Sequence, residues 1–358
     1  MEPQVPNAQK ETSSRANPKG ANAIHWAVLG LVVVLVALLV RGQGWLSGPS
    51  MWEDELMFAF SVLPGQGIDG WIFGSYRFGQ MQPPLAYGAV RMLESVLGPT
   101  ELALRLPSVL FGVGTVALLF FGLGKRVGWL AGSIAASGLA LTGFHQSLTI
   151  EARPYPLAIL LFVWCWFAME DAIRNPIWKN WMVLGGALAL LSWSHNMISL
   201  TGAAACFIVG AVVVAWRVWW PSVRNRAWRP YLGGLIAPVV GVAFWMPAYF
   251  LGQGQGTPHS GMEVSLSPSD LVGKMLGAMA DPQVWNMVTE LMTHSSAYSD
   301  EMAKGLLIVA GLGLFFSLFA ADCRGMVWRG VLLGFTAVLV TGVLSSLTNV
   351  AIYSRYVG

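Results

Sequence analysis

Long apolar segments separated by short polar ones run through most of the chain. An apolar window of about 20 residues predicts one membrane span, because a helix rises about 1.5 Å per residue across a hydrocarbon core of about 30 Å. Nine spans are predicted, at approximately 24–41, 102–123, 128–147, 156–173, 181–196, 198–216, 231–250, 304–321 and 330–350. The pattern lacks the short alternating segments of a transmembrane β-barrel. The predicted fold class is therefore all-α and polytopic.

The composition agrees with a membrane environment. Of the 358 residues, 55% are hydrophobic and 11% are charged, whereas a soluble domain carries about 25% charged residues. The net charge of +3 is small, and no basic, aromatic-rich patch suggests a nucleic-acid partner. The three cysteines and five histidines form no CxxC pair and no HExxH spacing, which disfavours a disulfide framework and a zinc site of these types.

The charge distribution predicts the orientation of the chain. Residues 1–23 are polar and are expected to form a cytoplasmic tail, followed by one transmembrane domain over 24–358. The first apolar segment is longer than the ~7–15 residues of a signal-peptide core, which favours an uncleaved anchor. With the N-terminus inside, the inner segments hold 13 Lys and Arg against 5 Asp and Glu, and the outer segments hold 8 against 13. This positive-inside asymmetry predicts an integral protein of the cell (plasma or inner) membrane.

Two long outer loops, 42–101 and 251–303, are the largest segments between the predicted spans. The first contains the acidic triplet Glu53-Asp54-Glu55. It also contains Leu85–Leu97, an apolar segment that is too short to span a membrane and predicts a helix lying in the membrane interface. The chain has no evident internal repeat, which disfavours a transporter built from inverted repeats.

The acidic triplet is the first candidate for chemistry, because carboxylates near lipid are unfavourable unless they bind something. If Asp54 and Glu55 lie on a helix, they point about 100° apart, so one can face a substrate while the scaffold holds the other. A carboxylate here can serve as a general base, or the pair can hold a divalent cation. The alternative is a solvated acidic cluster that caps an interfacial helix, where the helix dipole favours negative charge.

Three further polar groups fall on the same outer side. Gln82 precedes Pro83-Pro84, and consecutive prolines either aim Gln82 in a defined direction or simply form a stiff turn. Arg105 can bind phosphate bidentately or serve as a snorkelling anchor. The segment 151–155 places a carboxylate (Glu151), a guanidinium (Arg153) and a phenol (Tyr155) together at the outer boundary. These groups either form part of a binding site or anchor the chain in the membrane interface. Acids beside arginines on one side suggest an anionic ligand held near a base, and a lipid phosphate fits.

The order of these groups is similar to that in a known family. The motifs, in chain order, are Trp52-x-Asp54-Glu55, Gln82-Pro83-Pro84-Leu85, Ala103-Leu104-Arg105-Leu106-Pro107-Ser108 with Phe111-Gly112, and Glu151-Ala152-Arg153-Pro154-Tyr155. In this order they resemble the GT-C membrane glycosyltransferases, in particular the protein-mannosyltransferase and aminoarabinose-transferase-like superfamily. The resemblance covers roughly residues 45–160 and is weak beyond them.

The resemblance implies a GT-C-like bundle, with interfacial helices in the first outer loop, that takes a sugar from a polyprenyl-phosphate donor at the outer membrane face. It implies that Asp54, with Glu55 beside it, is the catalytic acid/base candidate. Arg105 and Arg153 match the arginines that would bind the lipid phosphate. The other candidate substrate-binding residues are Gln82, Glu151, Tyr155 and Arg355. A divalent cation at Asp54 and Glu55 is compatible with the sequence, which does not demand one and implies no other cofactor.

This chain departs from the family pattern in two places. Relatives often have His or Lys where Gln82 stands, and a neutral amide supplies no positive charge, so phosphate binding is expected to depend more on arginines. Relatives also continue for several more spans, whereas this chain stops at Tyr353-Ser354-Arg355-Tyr356 and the two residues that follow, and this motif resembles the start of an outer segment. A short form and a C-terminally truncated fragment are both compatible with that end.

Two other functions stay open at this point. A transporter or flippase for a lipid-linked or anionic solute would place polar groups at mid-membrane on broken helices, whereas the charges here cluster at the outer rim. A non-catalytic scaffold would be indifferent to the loss of Asp54. The sequence leaves open the sugar, its acceptor (a protein, a lipid or a polymer), the oligomeric state, and the inverting or retaining outcome.

Overall fold

The computed structural model describes residues 19–46, 51, 55–56, 58–59, 83–219, 228–244 and 329. Within these residues the regular structure is entirely helical. The helices are α1 (Lys19–Leu46), α2 (Leu85–Leu97), α3 (Glu101–Arg126), α4 (Trp129–Leu141), α5 (Gly143–Ile150), α6 (Tyr155–Arg174), α7 (Trp178–Ser192), α8 (Asn196–Trp219), a 3-10 helix (Arg229–Leu232) and α9 (Gly233–Ala243). Residues 55–56 and 58–59 are also helical.

The described helices agree with a helical membrane protein. Four of them are long and apolar enough to cross a membrane, over His25–Gly42, Glu101–Arg126, Tyr155–Arg174 and Ile198–Trp219. Two shorter apolar helical segments cover Trp129–Leu141 and Arg229–Ala243. The predicted spans 304–321 and 330–350, like the predicted loop 251–303, lie outside the described residues.

Consecutive long helices run antiparallel and define two ends of the bundle. At one end, which we call the site end, α1, α4 and α7 finish and α3, α6 and α8 begin. At the opposite end, Arg126 in the last turn of α3 pairs with Asp171 in the last turn of α6. Trp181 in the first turn of α7 donates to the carbonyl of Pro230 (2.8 Å), just before α9. These contacts hold together helix ends that are far apart in sequence.

The start of α3 is defined by local chemistry. Thr100 has an extended backbone, and its Oγ1 accepts a hydrogen bond from the backbone N–H of Ala103 (3.2 Å). Glu101 lies in the first turn and Arg126 in the last, where each charge complements the helix dipole. Because the cap determines where the helix begins, Arg105 lies in its second turn, at the site end.

The structure confirms a helix over Leu85–Leu97, the limits predicted from the sequence. Pro84 precedes its first turn, and Gly98 ends it with a φ of 74°, a conformation that favours glycine. The residues of α2 that face the bundle are Ala86, Tyr87, Val90 and Glu94. Met92 and Val96 are 70% and 77% exposed on the other face. An exposed apolar face of this kind is what an interfacial helix presents to lipid.

Three groups of buried apolar side chains hold the described helices together. The largest joins α6, α7, α8 and α9 through residues such as Leu161, Met169, Leu188 and Val209. The second joins α1 to α3 and α4 through Val33, Val116, Phe120 and Ala136. The third joins residues 58–59 to α2, α3 and the segment before α6, through Phe58, Tyr87, Val90, Leu104 and Ala152. This third group packs part of the first long loop against the site end.

The span predicted over 128–147 is instead divided into α4 and α5. The helix is interrupted at Thr142, which has extended backbone angles (φ −71°, ψ 119°). The Thr142 hydroxyl donates to the carbonyl of Gly138 (2.7 Å), and the Gln146 side-chain amide donates to the carbonyl of Ala140 (3.0 Å). Side chains therefore satisfy carbonyls near the break, which is the condition for interrupting a helix in an apolar environment.

The buried carboxyl of Glu94 in α2 gives a pH-dependent contribution to stability. Burial raises the pKa of Glu94 above its ordinary value of 4.5, and the nearby charge of Arg91 offsets this only in part. The folded protein therefore disfavours the charged form, and the stability that Glu94 contributes is present below pH 4.5 and is lost as the pH rises through the raised pKa.

Glu94→Gln is accordingly expected to raise the unfolding temperature at neutral pH and to leave it nearly unchanged at pH about 4. The reason is that glutamine occupies the same volume and never ionises. Thermal unfolding of the detergent-solubilised protein at both pH values measures the difference. An unfolding temperature that is unchanged or lower at neutral pH would contradict this account of Glu94.

Candidate functional site

A buried ion pair between Glu55 and Arg105 lies at the centre of the site end. The Arg105 Nε donates to Glu55 Oε1 (3.0 Å) and its Nη2 donates to Oε2 (2.9 Å), which is a bidentate arrangement. The two side chains are 1% and 3% exposed. A charge removed from water in this way is tolerated only when it is paired and hydrogen-bonded. Both charged groups meet that requirement, because each is paired with the other through two hydrogen bonds.

Two further contacts tie this ion pair to other parts of the chain. The backbone N–H of Ala152 donates to Glu55 Oε1 (2.8 Å). The Nη1 of Arg105 lies 2.6 Å from the carboxylate of Glu101, four residues earlier on α3, and Glu101 is 54% exposed. The ion pair thus joins the first long loop, the start of α3 and the segment before α6. Both carboxylate oxygens of Glu55 are engaged within the protein.

The segment from Glu151 to Tyr155 places three functional groups beside this pair. Glu151 has an extended backbone, and its carboxylate lies 3.8 Å from the Arg153 Nε. Residues two apart share a face of an extended segment, so the pairing follows from the backbone conformation. Ser108 of α3 holds the segment through a hydroxyl hydrogen bond to the Arg153 carbonyl (3.2 Å). The guanidinium carbon of Arg153 is 5.8 Å from the centre of the Tyr155 ring.

The α7–α8 connection also reaches this place. The backbone N–H of Leu85, directly after the Pro83-Pro84 corner, donates to the Trp193 carbonyl (3.0 Å). The ring of Tyr155 lies against the imidazole of His195, with the ring centres 5.0 Å apart. Neither Trp193 nor His195 was among the site residues predicted from the sequence. The only signal for them was a short polar stretch, residues 192–196, between two apolar runs.

A second polar cluster, around Arg41, lies between α1, α4 and α5. Arg41 is 0% exposed and donates to the Thr149 hydroxyl (3.0 Å) and the Ala37 carbonyl (3.0 Å), and its Nη2 contacts His145 Nδ1. Thr149 is three residues before Ala152, whose N–H binds Glu55. The Arg41 cluster therefore supports the chain segment that completes the ion pair. This cluster was not predicted, because in the sequence Arg41 is simply a charged residue at the end of an apolar run.

The structure brings together five of the predicted site residues and does not describe the other three. The five that lie at the site end are Glu55, Arg105, Glu151, Arg153 and Tyr155. The three outside the described residues are Asp54, Gln82 and Arg355. Among the residues that are described, no three His, Cys, Asp or Glu side chains group closely enough to hold a metal ion. The predicted cation site includes Asp54, which lies outside the described residues.

The arrangement separates groups that are committed to the scaffold from groups that a ligand can reach. Glu55 and Arg105 are almost fully buried against each other. Glu151 and Arg153 are 28% and 11% exposed, and the Arg153 Nε lies 3.8 Å from the Glu151 carboxylate, within the range of an ion pair. A guanidinium at the edge of a poorly hydrated site attracts an anion more strongly than it would in bulk water.

No protein-family model matches this chain, and no curated protein matches it. The residues of the site end, together with the order of the motifs along the sequence, are therefore the basis for assigning a function.

Proposed function

We propose that this protein is a membrane glycosyltransferase that moves a sugar from a polyprenyl-phosphate donor to an acceptor at the outer membrane face. One observation carries the proposal: motifs separated by 50 and 97 residues meet in the buried contacts of Glu55 with Arg105 and Ala152. Independent membrane anchors need not converge in this way. Convergence of a loop carboxylate, an arginine and an Arg-Pro-Tyr segment is what a shared ligand site requires.

In this proposal Asp54 is the general base. It is the chain neighbour of Glu55, whose carboxylate is held by Arg105 and by the Ala152 N–H. Glu55 and Arg105 are positioning residues, because their charged groups are engaged with each other. A divalent cation at Asp54 would either bind without Glu55 or compete with Arg105 for its carboxylate.

The donor phosphate is assigned to Arg153, with Tyr155 beside it, and Gln82 and Arg355 are proposed to complete the phosphate site. In the reaction, an acceptor hydroxyl or amine loses its proton to Asp54 and forms a bond to the anomeric carbon of the sugar. The bond from that carbon to the phosphate oxygen breaks, and polyprenyl phosphate leaves with the electron pair. Fixed cations near the departing phosphate stabilise its charge, which is commonly the largest catalytic term in such sites.

The positive-inside asymmetry of the sequence supports an N-terminus in the cytoplasm and a site end at the outer face. The position of the buried charges favours a transferase over a transporter. Arg41 is the second-to-last residue of the candidate span His25–Gly42, and Arg105 is in the second turn of α3. Transporters instead gather such groups near the bilayer midplane.

The proposal is tested with purified protein in liposomes that contain a lipid extract bearing polyprenyl-phosphate sugars. A transferase is expected to convert donor to free polyprenyl phosphate and a new glycoside, both detected by mass spectrometry. Asp171→Asn is a suitable matched control, because Asp171 is 51% exposed at the opposite end of the bundle. Movement of the donor between leaflets without any new glycoside would identify a flippase and contradict the proposal.

A further inference from the structure

His195 has an unusual combination of constraints. It is the last residue of the connection between α7 and α8, and it is 5% exposed. Its backbone is held at both ends, because its N–H donates to the Leu191 carbonyl (3.2 Å) and its carbonyl accepts from the Ser199 N–H (3.1 Å). The imidazole is therefore attached to a fixed point at the site end.

The contacts of the imidazole define its tautomer. The backbone N–H of Ile198 donates to His195 Nδ1 (3.3 Å), as a side-chain acceptor does at the start of a helix. An N–H can donate only to an unprotonated ring nitrogen, so the proton of the neutral ring is on Nε2. The Nε2–H group is therefore a hydrogen-bond donor, and the contact of Nδ1 with the Ile198 N–H fixes the orientation of the ring that carries it.

That donor has no hydrogen-bond partner among the described residues, although it is buried. A buried polar group without a partner is destabilising and is rare in folded proteins. The neighbouring groups indicate what the missing partner is. The Tyr155 ring lies 5.0 Å from the imidazole, and the Arg153 guanidinium lies 5.8 Å from the Tyr155 ring. Because the imidazole and the guanidinium both contact the Tyr155 ring, an anionic oxygen bound beside that ring is the partner that suits both groups.

We propose that His195 is a ligand-binding residue of this site, whose Nε2–H donates to a phosphate oxygen of the polyprenyl-phosphate group. This inference rests on the proposed function and adds a residue to its phosphate site. The partly buried Tyr155 is the neighbour that moves to admit the ligand. His195 binds as a neutral donor, while Arg153 supplies the positive charge.

Two substitutions separate ligand binding from helix capping. His195→Asn keeps a side-chain acceptor near the Nδ1 position, and asparagine is a good cap, but it has no atom at the Nε2 position. His195→Gln places an amide N–H near the Nε2 position and removes the cap acceptor. If His195 binds the ligand, His195→Asn should lose binding and His195→Gln should retain it. If its role is purely structural, His195→Gln should be destabilised and neither substitution should change ligand binding.

The experiment measures the affinity of the full chain in nanodiscs for farnesyl phosphate, with farnesol as the uncharged control, alongside thermal unfolding. We expect wild type to prefer farnesyl phosphate, His195→Asn to bind it about 10-fold or more weakly at a wild-type unfolding temperature, and His195→Gln to bind it nearly as well as wild type. If wild type prefers farnesyl phosphate and His195→Asn binds it equally well, the assignment of His195 is wrong and the proposed function stands. If wild type does not distinguish the two probes, the phosphate site itself is wrong and His195 with it.

Discussion

Asp54→Asn is expected to lower the rate of sugar transfer by about 10²–10⁴-fold while leaving the apparent affinity for the lipid-linked donor nearly unchanged. The reason is that asparagine has the size of aspartate but does not accept a proton from the acceptor. The donor phosphate binds to other residues in this account, so its binding does not depend on the lost charge. Initial rates of polyprenyl phosphate release, measured over a range of donor concentrations, separate the two effects.

The Asp54 prediction has two controls. Asp171→Asn makes the same chemical change at the opposite end and should leave the rate unchanged. A thermal unfolding curve for each variant shows whether the protein is folded. If folded Asp54→Asn transfers sugar at the wild-type rate, Asp54 is not the base. If its rate falls only because donor affinity falls, Asp54 binds the donor and is not a catalytic base.

Arg105→Met is expected to have the largest effect on stability, a loss of about 3–5 kcal/mol. The substitution leaves the carboxylate of Glu55, which is 1% exposed, with the Ala152 N–H as its remaining hydrogen-bond partner among the described residues. A buried charge deprived of its counter-ion carries its desolvation penalty without compensation. Denaturant unfolding of the detergent-solubilised protein measures this loss, and the Asp171→Asn variant should lose about 1 kcal/mol or less because its pair is half exposed.

The double variant Glu55→Gln with Arg105→Met distinguishes a coupled pair from two independent residues. Removing both charges takes away the uncompensated one, so the double variant should be clearly more stable than the sum of the two single losses implies. Additive losses would show that Glu55 and Arg105 do not interact in the way the distances indicate. Sugar transfer should be lost in Glu55→Gln, in Arg105→Met and in the double variant, because Arg105 holds Glu55, the chain neighbour of Asp54.

Local signals were sufficient to predict some elements. The limits of α2 could be predicted because a proline pair precedes Leu85 and a glycine follows Leu97, and the apolar run between them is too short for a span. The long helix over 101–126 also contains the predicted span 102–123. Both helices could be predicted because an apolar segment and the polar residues that end it are apparent in a single sequence.

The division of the predicted span 128–147 could not be found in the same way. No proline or charge marks Thr142, and the polar residues His145, Gln146 and Ser147 that follow it can also be accommodated near the end of an unbroken helix. The break depends on tertiary contacts instead. Arg41, 99 residues earlier than Ala140, reaches its carbonyl at 3.5 Å, and Gln146 donates to the same carbonyl at 3.0 Å. Such partners are unknown until the helices are packed.

The candidate site was predictable as a set of residues and not as a set of contacts. The sequence pointed to Glu55, Arg105 and Arg153, but whether Arg105 meets a phosphate or a carboxylate depends on a contact across 50 residues. His195 was not predicted, because a single histidine in a polar stretch has no distinctive spacing. Its significance comes from the Ile198 N–H on one ring nitrogen and the absence of a described partner on the other.

The level of polyprenyl-phosphate sugars should be compared in cells that make wild type, Asp54→Asn or no protein, with the two proteins at matched amounts. We expect one lipid-linked sugar to accumulate both in cells without the protein and in cells with the variant, because neither consumes the donor. The mass of that lipid would identify the sugar. Equal levels in all three cell types would contradict the claim that this protein is a transferase with Asp54 as its base.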